Sequence, residues 1–118
     1  MNFVSCEGLD SVDYVNKYLA LAVEREKVKV SGDVVTVPIK MSGIQKIKDY
    51  RLELIATDKN GNEITKEVIG ISELTPIKII EKEVTLKGIN DKGYGLKFRL
   101  YDNNGTKIDE NRLLGVGQ

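Results

Sequence analysis

Histidine and tryptophan are absent from this 118-residue chain, cysteine occurs once and proline twice. Without histidine there is no Ser-His or Cys-His couple, no imidazole acid–base and no imidazole ligand for zinc. A single cysteine, Cys6, excludes an internal disulfide, so stability must come from packing. Charge of one sign is also lacking: 18 Lys and Arg balance 18 Asp and Glu. Nothing therefore pulls the whole chain towards nucleic acid or an anionic membrane, and neither is expected as a partner. No apolar run approaches the roughly 20 residues that span a bilayer, so no membrane span is expected. The N-terminus lacks the basic start and apolar stretch of a signal peptide. No residue set calls for a cofactor, and a small-molecule ligand is not expected.

What is present is alternation. Tyr94 to Leu114 reads YGLKFRLYDNNGTKIDENRLL, apolar and polar in turn, broken at Asn103-Asn104-Gly105. That is a β-hairpin. A weaker copy runs from Tyr50 to Ile64, YRLELIATDKNGNEI, with the same Asp-x-Asn-Gly break. Hydrophobic residues at 41% against 31% charged give the balance of a folded domain, and the length suits one core.

In chain order, residues 1–17 read as an arm or short helix and 18–118 as the folded domain. Phe3-Val4-Ser5-Cys6 resembles the end of a bacterial lipoprotein signal, but only if a preceding apolar region has been trimmed; the alternative is an inert thiol. Asp10-Ser11 suits a helix cap with Val12, Val15, Leu19 and Ala22 on one face. The rival reading starts a strand near Tyr18, because Leu19, Leu21 and Val23 alternate. Val28 and Val30 then alternate, Ser31-Gly32-Asp33 turns, and Val35, Val37, Ile39 and Met41 alternate back. Pro38 has no N–H, which places its strand at an edge or bulge. The next strand sets Tyr50, Leu52, Leu54 and Ala56 against Arg51, Glu53, Ile55 and Thr57. From Ile77 to Leu86 the parity slips by one residue, as at a β-bulge. Leu96, Phe98 and Leu100 point inward on the final hairpin. About seven strands with regular turns predict an all-β, immunoglobulin-like antiparallel sandwich, with the short N-terminal helix or arm outside it.

The run LKFRLYDNNGTKI resembles the FxLyD-type pattern, in which an aromatic strand ends in Leu-Tyr-Asp before a glycine turn. Phe98, Leu100, Tyr101, Asp102 and Gly105 carry the match, over the last quarter of the chain. The resemblance implies a sandwich similar to fibronectin type III and immunoglobulin-like domains of secreted or surface bacterial proteins. The missing signal peptide departs from that pattern.

Three constellations bear on chemistry. Asp58-Lys59-Asn60-Gly61-Asn62-Glu63 places oxygens like the start of an EF-hand loop, but Glu63 stands where that loop needs glycine and Ile69 where it needs a bidentate glutamate. A turn in which Asp accepts its own amides explains it instead, and no metal site is expected. The paired carboxylates Asp109-Glu110 and Glu81/Glu83 show no cleft partner, so no enzyme is expected. If the sandwich is immunoglobulin-like, Arg51, Glu53 and Ile55 lie beside Lys97, Arg99 and Tyr101 on one outer face, a candidate partner surface rich in hot-spot residue types.

The expectation is a non-catalytic binding or assembly module whose partner is a protein or another copy. A structural component of a particle such as a phage virion or tail is favoured, cytoplasmic before assembly. The alternative is a secreted or cell-surface accessory domain, lipoprotein-like, that binds a protein or glycan. A small carboxylate-dependent enzyme comes third. Phe3, Val4, Val12, Tyr14, Val15 and Tyr18 form a candidate docking arm, which either covers one end of its own sandwich or adds to a neighbour.

Overall fold

The computed structural model describes residues 13–89 and 94–113. Among these residues nine strands follow in order: β1 (Tyr14–Val15), β2 (Leu19–Val23), β3 (Lys29–Ser31), β4 (Val34–Gly43), β5 (Ile47–Thr57), β6 (Glu63–Leu74), β7 (Ile79–Leu86), β8 (Gly95–Tyr101) and β9 (Lys107–Leu113). All pairings are antiparallel. One sheet is built on β4, which takes β7 along one edge and both β2 and β3 along the other. The second sheet runs β6-β5-β8-β9. The chain crosses between sheets after β4, β6 and β7, and the strand neighbours β4–β7 and β5–β8–β9 are those of an immunoglobulin-like sandwich.

The period-2 apolar residues meet in the middle. Leu19, Leu21, Val35, Val37, Ile39 and Met41 of the first sheet face Leu52, Leu54, Ile71, Leu96, Phe98 and Leu100 of the second. Phe98 is fully buried, and the Tyr14 ring packs on it with centroids 4.8 Å apart.

Three local expectations are corrected. No helix forms among residues 13–17, and the alternation of Leu19, Leu21 and Val23 gives β2, whose five residues are all buried. A helix here would turn part of that apolar set to solvent. Tyr14–Val15 pairs with β2, so the sandwich already includes Asp13 onwards, and Asp10 and Ser11 lie outside the described residues.

Pro38 is not on an edge strand, because β4 is central. Its carbonyl accepts from the Glu24 amide at 3.0 Å. A strand residue's nitrogen points to the same side as its carbonyl, so the missing N–H faces the gap between β2 and β3. There the short 3-10 turn Arg25–Lys27 interrupts the ladder. The donor that proline lacks is one the sheet does not use.

The expected bulge in β7 is absent, for β7 pairs with β4 in unbroken register from Val35↔Leu86 to Ser42↔Ile79. Ile77 precedes the strand and is 94% exposed. The alternation fails because Lys82, opposite buried Ile39, takes an inward position. Glu67 does the same on β6, opposite Leu54, and Asp109 on β9, opposite Leu100. All three strands are edges. An inward charge on an edge strand must reach out to water or a partner, which blocks a neighbour from adding to that edge.

Candidate functional site

The outer face of β6-β5-β8-β9 follows from its register. Arg51 pairs with Tyr101, Glu53 with Arg99 and Ile55 with Lys97, so the structure brings all six candidate partner-surface residues together. They do not form the open face that the sequence suggests. Ile55 is 0% exposed and Glu53 only 4%. Ile55 lies between Lys66 and Lys97 across its two strand pairings, and long lysine stems cover such a residue while their ammonium groups stay wet.

Glu53 sits at the middle of a charge network. It receives Arg99 at 3.3 Å, Lys66 at 3.5 Å and the Tyr101 hydroxyl at 3.4 Å. Arg99 also bonds Glu63, and Glu110 at 3.3 Å. Lys97 reaches the same two acids at 3.3 and 3.4 Å. Lys107 donates to Glu110 at 2.7 Å, and that bond leads those that hold the Glu110 carboxyl down to about 2, with Lys97 and Arg99 adding to it. Burial works against the Arg99 charge, but Glu53 and Glu110 outweigh it and raise its pKa. The Arg51 guanidinium stands apart from this network, 4.1 Å from the centre of the Tyr101 ring. Glu63, Lys66, Lys107 and Glu110 complete the network from β6 and β9; only the register across those hairpins reveals them.

The candidate arm divides. Phe3, Val4 and Val12 lie outside the described residues. Tyr14 packs on Phe98 and donates its hydroxyl to Asp109. Asn16 Nδ2 donates to the same carboxylate at 2.6 Å, while its Oδ1 accepts the amides of Tyr18 and Leu19. Burial alone raises the Asp109 carboxyl, but the bonds from Tyr14 and Asn16 prevail and lower it. Tyr18 lies against Tyr50 at 6.0 Å, and Val15 is exposed. Tyr14 and Tyr18 thus cover their own sandwich, and the strap from β1 to β9 closes one of its sides.

The Asp-x-Asn-Gly turns hold their own acids. The Asn60 and Asn62 amides donate to Asp58 at 2.8 and 2.9 Å, and those of Asn104 and Thr106 to Asp102 at 2.9 and 3.0 Å. Gly61 and Gly105 take φ of 87° and 81°. Strand alternation splits Asp109 from Glu110, the first inward and the second outward. Glu81 and Glu83 lie together on the outer face of β7, at an open cleft of about 530 Å³ that Glu24, Lys27 and Pro38 also line. Among the described residues no cluster of acids, histidine or cysteine is placed to hold a metal ion.

No family model matches the chain, and no curated protein does. Solved structures of similar fold exist. The ligand-binding region of serine-glutamate repeat protein A of Enterococcus faecium matches over 81% of this chain and 90% of its own, with a TM-score of 0.50 and 15% identity. A β-glucuronidase from glycoside hydrolase family 2 matches over 89% of this chain with a TM-score of 0.50 and 11% identity. A family 2 glycosyl hydrolase from Bacteroides cellulosilyticus matches over 81%, with a TM-score of 0.49 and 14% identity. This chain spans only 11% of the β-glucuronidase chain and 14% of the Bacteroides cellulosilyticus one. At such identities the likeness is one of fold.

Proposed function

We propose that this chain is a non-catalytic module that works by binding a protein, and that it presents the outer face of β6-β5-β8-β9. One observation carries the reading: that face holds its charged side chains in place through cross-strand ion pairs, whereas β6, β7 and β9 each guard their edge with an inward charge. Ordered side chains lose less entropy on binding, and guarded edges leave faces for association. A region named for ligand binding in a bacterial repeat protein shares this fold, which supports a binding role. Assembly into a larger particle, virion or tail included, uses the same face with a neighbouring subunit as partner.

The test is affinity capture from native extracts on immobilised wild-type protein, Arg51→Glu and, on the opposite sheet, Lys29→Glu. A partner retained by wild type and Lys29→Glu but lost from Arg51→Glu supports the face. Retention by all three overturns it. A hydrolytic activity abolished by Glu81→Gln or Glu83→Gln overturns the non-catalytic reading.

A further inference from the structure

The face of β6-β5-β8-β9 is charged in excess of what its own acids neutralise. Register places Arg51, Lys66, Lys97, Arg99, Lys107 and Arg112 on it, against the three carboxylates of the network, Glu53, Glu63 and Glu110. Six cations against three anions leave an excess of three positive charges, on a chain whose formal net charge is zero. The excess is not spread evenly. Lys66, Lys97, Arg99 and Lys107 are all engaged by the carboxylates. Among the described residues no carboxylate lies in ion-pair range of Arg51 or Arg112.

These two residues lie towards opposite ends of the face, Arg51 on the inner strand β5 and Arg112 on the edge strand β9. Arg51 is level with Tyr101, and Arg112 is level with Lys97. Four residues along β8 and two strand spacings across set their backbones about 16 Å apart. Arg51 is also pre-set. Its guanidinium lies over the Tyr101 ring, which leaves the N–H edge for a planar acceptor, and a carboxylate fits that fork with two parallel bonds.

We propose that this face docks an acidic protein surface, with one carboxylate of the partner on Arg51 and a second near Arg112. The proposal rests on the binding reading above and adds the partner's chemistry. The pattern of charges selects a protein over a nucleic acid or a sulfated glycan. Glu63 and Glu110 are interspersed among the cations and partly exposed, so a polymer with an anion on every unit must set some of them over carboxylates. A folded acidic partner carries both signs and can place its own lysines there.

The experiment follows backbone amide shifts of the ¹⁵N-labelled chain during titration with a synthetic peptide alternating Glu and Ser. A Lys–Ser peptide, a heparin oligosaccharide and single-stranded DNA run in parallel. Arg51→Glu removes an exposed side chain outside the ion-pair network, so its melting curve should match wild type and report binding alone. The expected result is a shift of amides around Arg51, Tyr101 and Arg112 by the acidic peptide only. It should weaken with salt, fall about tenfold or more in Arg51→Glu, and fall further when Arg112→Glu is added. Shifts that survive both substitutions, or that heparin or DNA produces more strongly, overturn the proposal. If the acidic peptide leaves the spectrum unchanged while affinity capture still depends on Arg51, the acidic preference is wrong and the binding reading stands. If capture is also independent of Arg51, both fall.

Discussion

Phe98→Ala, alone and with Tyr14→Ala, tests how the core and the N-terminal strap are joined. Phe98 is fully buried among Leu52, Leu54, Leu96 and Leu100, on a strand paired on both sides, so the site has little room to collapse. Phe→Ala in such a setting costs about 3–5 kcal/mol. Unfolding entropy near 2.1 cal/mol/K per residue over this chain length turns that loss into a fall in Tm of about 12–20 °C. Tyr14 sits on the same ring, and an aromatic pair is worth about 0.5–1.5 kcal/mol beyond its burial. The two substitutions should therefore be less than additive by that amount. Urea unfolding followed by far-ultraviolet circular dichroism gives the four free energies of the cycle. A Phe98→Ala loss under about 1 kcal/mol refutes the core assignment, because it requires a ring that is not deeply packed. Strict additivity refutes the strap, because it places Tyr14 away from Phe98 in solution.

Asp109 and Glu110 have carboxyls lowered in the folded state, so each contributes stability above its unfolded value, near 4, that is lost as pH falls through the folded one. Urea midpoints should therefore drop between roughly pH 4 and 2, and Asp109→Asn should flatten part of that drop; an unchanged profile in Asp109→Asn refutes the strap's charge. Pro38→Ala should cost less than about 1 kcal/mol, since its nitrogen faces a break in the ladder. Lys40→Pro, whose backbone groups point to β2, should cost far more, and equal losses by urea titration would show that the break is misplaced. Lys82→Val completes the inward apolar column of β7 and should make light scattering rise with concentration; a variant that stays monomeric shows that Lys82 does not guard the edge. Millimolar calcium should leave the melting curve in place, because Asp58 is occupied by its own turn; an upward shift abolished by Asp58→Ala refutes this.

The sandwich was legible wherever alternation ran unbroken. Val35 to Met41, Leu52 to Ala56 and Leu96 to Leu100 are central strands with one face wholly in the core, and their period of two stands out. Edges were harder for a physical reason. On β7 the inward column reads Ile80, Lys82, Val84, Leu86, and one charge in that column imitates a slipped register. Glu67 interrupts the inward column of β6 in the same way, although the strand runs on to Leu74. Pro38 misled because sequence shows that a donor is missing, but not which side of the strand it would have faced. The helix expectation failed for a related reason. Apolar residues at Val12, Val15, Leu19 and Ala22 fit a helical face, and Leu19, Leu21 and Val23 fit a strand. Only the pairing of β2 with β4 decides between them.

The outer face was legible as a list of neighbours but not as a physical state. Placing the third strand beside the penultimate one was enough to pair Arg51 with Tyr101 and Glu53 with Arg99. It did not reveal that Glu53 would be buried, since burial there depends on Lys66 from β6 and on the long side chains that lie over it. That difference changes which residues can contact a partner. Removing Glu53 leaves Arg99 with two other acids, but it also strips Lys66 and Tyr101 of their shared acceptor. A loss of binding in a Glu53 variant therefore reports a disturbed platform and not a lost contact. Arg51 stands on the platform without holding it together. A change in binding at Arg51 with no change in melting is the observation that separates a recognition surface from an ordinary solvated sheet.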